Sequence, residues 1–574
     1  MIQKKWVEKP YNKDTVRELA RSLQIGEIYA TLLTQRGIGT YEDARRFFLP
    51  DAGQLHDPGC MKDLDKAADR IDLAVRSGEK ILVYGDYDVD GTSAVALMYS
   101  FLRDHGGNLG FYIPHRHLEG YGISMRGIDH ASDNGYTLII ALDCGIKAHA
   151  QLARARALDI DVIVCDHHIP DAERFPPAFA VLNPKRADCD YQNKDLSGCG
   201  IGFKLISALA RKWGQEAKSL SPYLQLTALS IAADIVPMTG ENRILTRLGL
   251  QALESDPLPG LKALLFVSRE GQQNVSRLCT EDLTYLLAPR INAAGRMGEA
   301  EEAVRLLIEQ DYQVALEIAE KLHHANTSRR ELDQDITTEA LEMIRVEEVP
   351  RFATVVYRPH WHKGVIGIVA SRLMETCYRP TIVLTRSGDL LTGSARSVKG
   401  FNISEALDGC GDLLENYGGH FYAAGMTMKP ENLETFTKRF EAIVSSTIRS
   451  EHITPEIIID SALRLSEIKP SFFNTLRRFE PFGPGNREPV FIASELRDTG
   501  GCRIIKAHHI KFDVMQEDSR PIAGIGFKMA DKFEIITSGQ PFDLCFHLTE
   551  NFWKGRKSLQ LRVLDVRPSA CVQG

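Results

Sequence analysis

In the stretch ILVYGDYDVDG (81–91), residues of buried-strand character run into Gly85, and carboxylates then fall at every second position: Asp86, Asp88 and Asp90. A hydrophobic strand that delivers acids to its carboxyl end describes a cation site. Gly91 lets the chain turn, and 92–99 reads as the start of a helix. The string D-x-D-x-D-G also opens an EF-hand loop, but that loop follows a helix and needs a Glu eleven residues after its first Asp. Here that position is Leu97 and a strand comes first. A haloacid-dehalogenase-type phosphatase likewise begins with a strand and an Asp pair, so the decision falls to whether later strands bring further ligands.

Working outward, strand-like runs at 109–113, 137–142, 161–165 and 178–182 alternate with helical patterns such as 148–157. That alternation predicts a parallel, doubly wound α/β sheet with helices on both faces. Ligands bind such sheets outside the carboxyl ends of the strands, and the polar residues stand there. TLIIAL is followed by Asp143, DVIVC by Asp166, His167 and His168, and a largely apolar helix over 223–233 ends in Asp234 before Pro237 halts it. Packed at one edge without cations, these carboxylates would repel strongly in a partly desolvated site. Two divalent ions remove that penalty. The glycine string SGCGIGFKL (197–205) lacks the G-x-G-x-x-G spacing of a dinucleotide loop and sits late in the unit, so helix packing is the expected role.

A chain of 574 residues has room for about three or four domains. Hydrophobic content of 44% with 25% charged residues fits a globular protein. MIQKKWVEKPYNK holds no apolar stretch of the secretory kind, and 18 consecutive apolar residues occur nowhere, from which a cytoplasmic location and no membrane contact are expected. The 11 cysteines include no C-x-x-C pair and read as reduced, structural thiols. A net charge of −7 argues against indiscriminate nucleic-acid binding while leaving room for a local basic groove.

Residues 1–75 alternate short amphipathic helical patterns with polar loops and are expected to pack on the catalytic domain, 76–311. Over 312–348 breakers are few and charges many, which predicts one long connecting helix with His323 and His324 on its solvated face. A second α/β unit follows at 349–450, with strands at 353–357 and 381–384. From 455 to 574 short strands recur at 456–460, 489–492, 509–514, 522–527, 542–548 and 559–565, the spacing of a small β-barrel.

GDYDVDG, LDCG, DHH and AADIVP, in this order, resemble the four motifs of the DHH phosphoesterase superfamily. Downstream, APRINAAGR (288–296), WHKGVIGIVASRL (361–373), GSARS (393–397) and GGHFYAAG (418–425) extend the resemblance to the superfamily's bacterial single-strand-specific exonucleases over nearly the whole chain. The resemblance implies a DHH catalytic domain, a DHH-associated domain and a C-terminal OB-fold. It implies that Asp88, Asp90, Asp143, His167 and Asp234 hold two ions, with Asp143 bridging them. Mixed carboxylate and imidazole ligation favours Mn²⁺ over Mg²⁺. Asp86 is either an additional ligand or an acceptor behind the ligands. Asp166 orients a neighbouring His, and His168 points to the substrate phosphate as donor or acid. Some members carry a His where this chain has Tyr84, so one ion is expected to be held more weakly.

By the same resemblance Arg116, Ser394 and Arg396 receive the terminal 5′ phosphate, Arg290 the scissile one, and His420 lines the same cleft between the α/β units, one too narrow for a duplex. A surface salt bridge is the plain alternative for Arg116 and Arg396. Arg503, Lys506, Lys511, Phe512, Trp553, Lys554, Arg556 and Lys557 provide basic and stacking surface on the barrel, although the aromatic ones equally suit its core. The implied activity is 5′-to-3′ hydrolysis of single-stranded DNA to 5′-mononucleotides by a monomer, in repair and recombination. Its implied partners are a single-strand-binding protein and a repair helicase. A phosphodiesterase of short oligonucleotides or cyclic dinucleotides, and a non-catalytic single-strand-binding adaptor, are the competing readings. The barrel speaks against the first and the intact acid and His set against the second.

Overall fold

Along the central strands neighbouring side chains are buried in opposite directions, which is why the sequence there shows unbroken apolar runs. Ile81, Val83, Ile140, Leu142 and Ile163 join one core; Leu82, Tyr84, Ile139, Ala141 and Val164 join the other. Helices Leu64–Ser77, Val89–Arg103, Gly198–Lys212 and Ser221–Ala233 contribute to the first core, and Met125–Asp133 with His149–Ala157 to the second. The computed structural model describes residues 4–569 apart from 117, 172–173, 272–276, 298–299, 347–350, 518 and 554–555.

The chain divides into two units. One comprises Leu49–Glu331 and Glu480–Arg487. Its sheet is parallel throughout, in the order Asn108–Tyr112, Lys80–Gly85, Leu138–Leu142, Asp161–Cys165, Ala180–Leu182. The order reverses between Lys80–Gly85 and Leu138–Leu142, so connections leave these two strands toward opposite faces and open a crevice at their carboxyl ends. Asp86 to Asp90 follow the first of them and Asp143 the second. The segment Glu480–Arg487 returns to this unit, where Met238 N–H donates to the Pro484 carbonyl at 2.6 Å.

The other unit comprises Met1–Phe48, Leu332–Phe479 and Glu488–Gly574. Its mixed sheet runs Asn416–His420, Ala423–Met428, Leu390–Arg396, Thr381–Ser387, Thr354–Tyr357, with only the last pair parallel. Beside it five strands close a barrel: Phe491–Asp498 pairs with both His509–Met515 and Phe542–Trp553, and Ile522–Gly526 lies parallel to Arg556–Pro568. Helix Phe533–Thr537 stands between the third and fourth of these strands. This is the connectivity of an OB-fold. The helix Tyr312–Val346 carries the chain from one unit into the other.

Two expectations are corrected. Residues 1–48, expected on the catalytic domain, belong with the barrel: Lys5–Glu8 pairs in parallel with Glu456–Ile459, and Trp6 Nε1 donates to Asp565 at 2.9 Å. Glu456–Ile459 is therefore a strand of that two-stranded clasp and not of the barrel. Of the two readings open for Phe512 the core one holds: it is 1% exposed, because alternation along His509–Met515 turns Ile510, Phe512 and Val514 inward.

Candidate metal centre

Asp88 caps the helix Val89–Arg103, its Oδ1 accepting from Gly91 N–H at 3.0 Å. Asp90, in the first turn of that helix, is buried and fixed from a distant element: its Oδ2 accepts from Gly198 N–H at 2.7 Å and its Oδ1 from Cys199 N–H at 2.8 Å. Ser230 Oγ lies 2.7 Å from both Asp90 Oδ1 and Ser197 Oγ, and Ser197 caps the helix by accepting from Gly200 N–H. The glycine string thus does more than pack. It presents the positive end of a helix to a carboxylate. Gly198 is required there because a Cβ would lie 2.6 Å from that of Asp143.

Asp143 leaves its strand in the left-handed region at φ 59°, a conformation Asp tolerates better than most residues. Its N–H donates to Cys165 O at 2.8 Å, holding it at the sheet edge. Asp143 Oδ1 is buried with no hydrogen bond, and so are both carboxylate oxygens of Asp86 and His167 Nδ1. His167 Nε2 faces three carboxylates at once: Asp143 Oδ1 at 3.1 Å, Asp234 Oδ2 at 3.6 Å and Asp90 Oδ2 at 3.8 Å. Asp234 ends its helix as the C-cap.

Burial, then the charges of Asp90 and Asp88, push Asp143 well above the usual carboxylate range. Burial and Asp88 raise Asp86 to about 8, and burial with Asp90 raises Asp234 to about 8. Burial and Asp90 also raise Asp88. Burial lowers His167, favouring the neutral ring that a metal binds. Without cations the edge holds protons that a pair of divalent ions would displace. Unpaired buried oxygens beside a neutral imidazole form a mixed oxygen and nitrogen donor set that suits Mn²⁺.

Asp166 stands apart from this group. Burial favours its neutral form, but hydrogen bonds from His168 Nδ1 at 2.7 Å, His168 N–H at 3.0 Å and Ile146 N–H at 2.9 Å outweigh it and hold the carboxyl low. For His168 burial opposes the charged ring, yet Asp166 and the surrounding carboxylates raise its pKa. Tyr121 Oη sits within 3.3 Å of both His168 ring nitrogens and donates to the Asp143 carbonyl. Tyr84, where some superfamily members have His, is fully buried, its hydroxyl donating to Gly122 O and accepting from Ser124 N–H.

Arg116 lies in the same unit, over the Tyr87 ring. Arg290 is 6% exposed; its Nε donates to His323 Nδ1 at 3.2 Å and its Nη1 to Leu286 O at 2.6 Å. His323 is therefore half-buried and engaged, correcting its expected place on a solvated face, while His324 is exposed. In the other unit the register His420↔Ala423↔Arg396 aligns His420 with Arg396 across the sheet, and Gly418↔Gly425↔Ser394, two rows along, is the next row on the same face. A Cβ on Gly418 or Gly425 would meet nothing within 4 Å, so this face is bare backbone. Arg396 is half-buried, bonded to Ser394 Oγ, Ser371 Oγ and Ala395 O, and has no carboxylate within ion-pair distance among the described residues. On the barrel Arg503 stands directly opposite Lys511, and exposed Phe527 meets His509 edge-on with centroids 5.4 Å apart. Lys506, Arg556 and Lys557 are exposed, whereas Lys554 and the Trp553 side chain lie outside the described residues.

The sequence reading missed Ser197, Gly198, Cys199, Ser230 and Tyr121. A capping Ser ahead of a glycine-rich helix start was the available signal for the first three.

Comparison with known proteins agrees with this architecture. Residues 80–231 match the DHH family, N-terminal domain, residues 350–446 the DHHA1 domain and residues 459–565 the RecJ OB domain. The chain is 35% identical over 569 residues to the single-stranded-DNA-specific exonuclease RecJ of Bacillus subtilis (strain 168), covering 98% of this chain and 71% of that protein. It is 33% identical to the protein of that name in Escherichia coli (strain K12), covering 88% and 91%. The crystal structure of RecJ from Thermus thermophilus in complex with Mn²⁺ superposes with a TM-score of 0.83 at 27% identity, covering 99% of this chain and 80% of that one. A crystal structure of exonuclease RecJ bound to manganese, 33% identical, matches with a TM-score of 0.60 over 69% of this chain and 96% of that one.

Proposed function

The chain belongs to the RecJ family of single-stranded-DNA-specific exonucleases, and from that membership we infer a metal-dependent exonuclease that hydrolyses the phosphodiester bonds of single-stranded DNA. It acts 5′ to 3′, releases 5′-mononucleotides and serves DNA repair and recombination. The observation that carries the reading is the convergence of Asp90, Asp143 and Asp234 on His167 Nε2, with Asp143 Oδ1 buried and without a hydrogen bond.

Asp88, Asp90, Asp143, His167 and Asp234 would hold two ions, Mn²⁺ or Mg²⁺, and Asp86 adds two unpaired oxygens to the same edge. When bound, such ions supply a water nucleophile of lowered pKa and offset the charge that develops on the leaving oxygen. Asp166 fixes the His168 ring through Nδ1 and favours its protonated form, which leaves Nε2 as the atom that would donate to the phosphate under attack. Arg290 and Arg396 lack carboxylate partners among the described residues and are assigned to DNA phosphates, Arg290 to the scissile one and Arg396 with Ser394 to a phosphate of the same strand, while Arg116 is assigned to the terminal 5′ phosphate. An internal phosphodiester cannot satisfy a terminal-phosphate receptor, which is the physical basis of exonuclease action. His420 contacts the strand over the bare backbone of Gly418 and Gly425. The barrel holds the following nucleotides by stacking and charge.

The enzyme is assigned a monomeric state and a cytoplasmic place beside a single-strand-binding protein and a repair helicase, because its substrate must first be unwound and kept single. No described helix is long and apolar enough to cross a membrane. The test is incubation of 5′- and 3′-labelled single-stranded DNA with Mn²⁺, Mg²⁺ or chelator. Mononucleotide release from the 5′ end only, abolished by chelator and by Asp143→Ala while DNA binding survives, is expected. A fully active Asp143→Ala enzyme would refute the site.

A further inference from the structure

Tyr87 stands between Asp86 and Asp88 in sequence, yet its ring serves other neighbours. The Arg116 guanidinium lies over the ring, its carbon 4.8 Å from the centroid. The Tyr121 ring meets it edge-on, with centroids 6.4 Å apart and planes 85° apart. The charge of Arg296 also acts on the Tyr87 phenol. The backbone of Tyr87 is equally confined, because a Cβ on Gly295 would collide with its carbonyl oxygen. One residue therefore carries the acidic loop through its main chain and an arginine through its side chain.

That arrangement has a geometric consequence. A guanidinium drawn over an aromatic face by cation–π attraction still has N–H donors to offer a planar or tetrahedral anion. Among the described residues no carboxylate lies within ion-pair distance of Arg116, whose guanidinium carbon sits over the Tyr87 ring. Since the peptide units on either side of Tyr87 lead directly to Asp86 and Asp88, the distance from the guanidinium to the carboxylates is set by a single side chain and a short, confined loop.

We propose that Tyr87 is a positioning residue that fixes Arg116 relative to the metal centre, so that a terminal phosphate held by Arg116 places the first internal phosphodiester at the ions. The inference rests on the reading of Arg116 as a terminal-phosphate receptor and adds what sets the length of the released product. It does not make Tyr87 a catalytic residue, since it touches neither ions nor phosphate.

The experiment compares wild type, Arg116→Ala, Tyr87→Phe and Tyr87→Leu on 5′-phosphorylated and 5′-hydroxyl oligonucleotides in Mn²⁺, measuring kcat, KM, product length and, by calorimetry, Mn²⁺ affinity. Arg116→Ala removes the preference for the phosphorylated end. Tyr87→Leu reduces that preference about three- to thirty-fold, the range of a cation–π contact, through KM, and adds dinucleotide to the products. Tyr87→Phe keeps the aromatic face and retains the preference. If Arg116→Ala leaves the preference intact, the terminal-phosphate reading itself falls. If Arg116→Ala removes it while Tyr87→Leu does not, the role of Tyr87 is overturned. Equal loss on both substrates together with weakened Mn²⁺ binding also overturns it, because that pattern marks a damaged metal loop. So does a Tyr87→Phe enzyme that behaves as Tyr87→Leu.

Discussion

Gly198→Ala separates the geometry of the metal centre from the stability of the fold. The added Cβ would lie 2.6 Å from the Asp143 Cβ and 2.9 Å from both its Cα and Oδ1, whereas carbon atoms rest at about 3.5–4.0 Å. Roughly 1 Å must be found. Asp143 resists because its backbone is held by the bond to Cys165 O, and the helix start resists because Gly198 and Cys199 N–H are engaged with Asp90. Either yielding partner moves a proposed ligand. A misplacement of that size costs about a hundredfold in rate. Overpacking destabilises by about 1–3 kcal/mol, offset by about 1 kcal/mol from replacing glycine in a helix. The melting temperature should therefore fall only modestly while Mn²⁺-dependent nucleotide release falls steeply. Gly202→Ala on the same helix is the control: its Cβ would meet Leu142 at 3.4 Å and Leu97 at 3.7 Å, ordinary contacts, so activity persists. A Gly198→Ala enzyme as active as Gly202→Ala would refute the reasoning.

Metal-free protein should lose stability as pH rises. The carboxyls of Asp86 and Asp234 go from an ordinary 3.8 to about 8 on folding, so between those values the folded state binds more protons than the unfolded, and their contribution is full below 3.8 and lost by about 8. Melting in chelator from about pH 5 to about pH 9 tests this, with Mn²⁺ stabilisation growing over the same window as ions replace protons; a melting temperature in chelator that rises with pH contradicts it. Arg396→Lys keeps the charge but loses the planar fork, and should raise KM about ten- to a hundredfold on the scale of charge-assisted hydrogen bonds; an unchanged KM would remove Arg396 from the substrate site. Phe527→Ala should weaken binding of a long oligonucleotide by about 1–3 kcal/mol, one stacked base, while leaving dinucleotide turnover alone. Equal effects on both substrates would count against a stacking role.

The catalytic unit was legible because two simple periods coincide in it. Strands such as 138–142 bury both faces, and the three central ones, 80–85, 138–142 and 161–165, are each followed by Asp, so the sequence alone locates the carboxyl edge of the sheet. The barrel was legible as a set of strands but not in its membership: 456–459 has the same alternating character as barrel strands, and only tertiary pairing with 5–8 decides where it goes. GSARS and GGHFYAAG gave no strand signal because glycine weakens β patterning, although they form the hairpin and neighbouring strand that line up His420, Arg396 and Ser394. Phe512 follows from parity alone and could have been placed inside. The partners of Asp90 could not, since Gly198 lies 108 residues away and a peptide N–H leaves no mark in a sequence.

The carboxylates of this edge fall into two kinds, and the division explains how a fold tolerates them. Asp90 and Asp166 accept hydrogen bonds on both oxygens from N–H groups, Ser230 and His168, so they cost the folded state little as anions, and Asp90 Oδ2, with one donor, still has a lone pair for an ion. Asp143 and Asp86 keep buried oxygens without partners, and as anions they would cost far more than the fold recovers elsewhere. The hydrogen-bonded pair brings distant elements together, the helix start at 198 to the loop at 90 and the imidazole of 168 to the strand end at 166, through bonds that need no ion. The open pair contributes hydrogen-bonding capacity that only protons or cations satisfy. Chelation should therefore loosen the surroundings of Asp86 and Asp143 while the attachments of Asp90 and Asp166 persist, and hydrogen exchange of Gly198 and Cys199 N–H, unchanged by chelator, would distinguish this local response from a collapse of the whole edge.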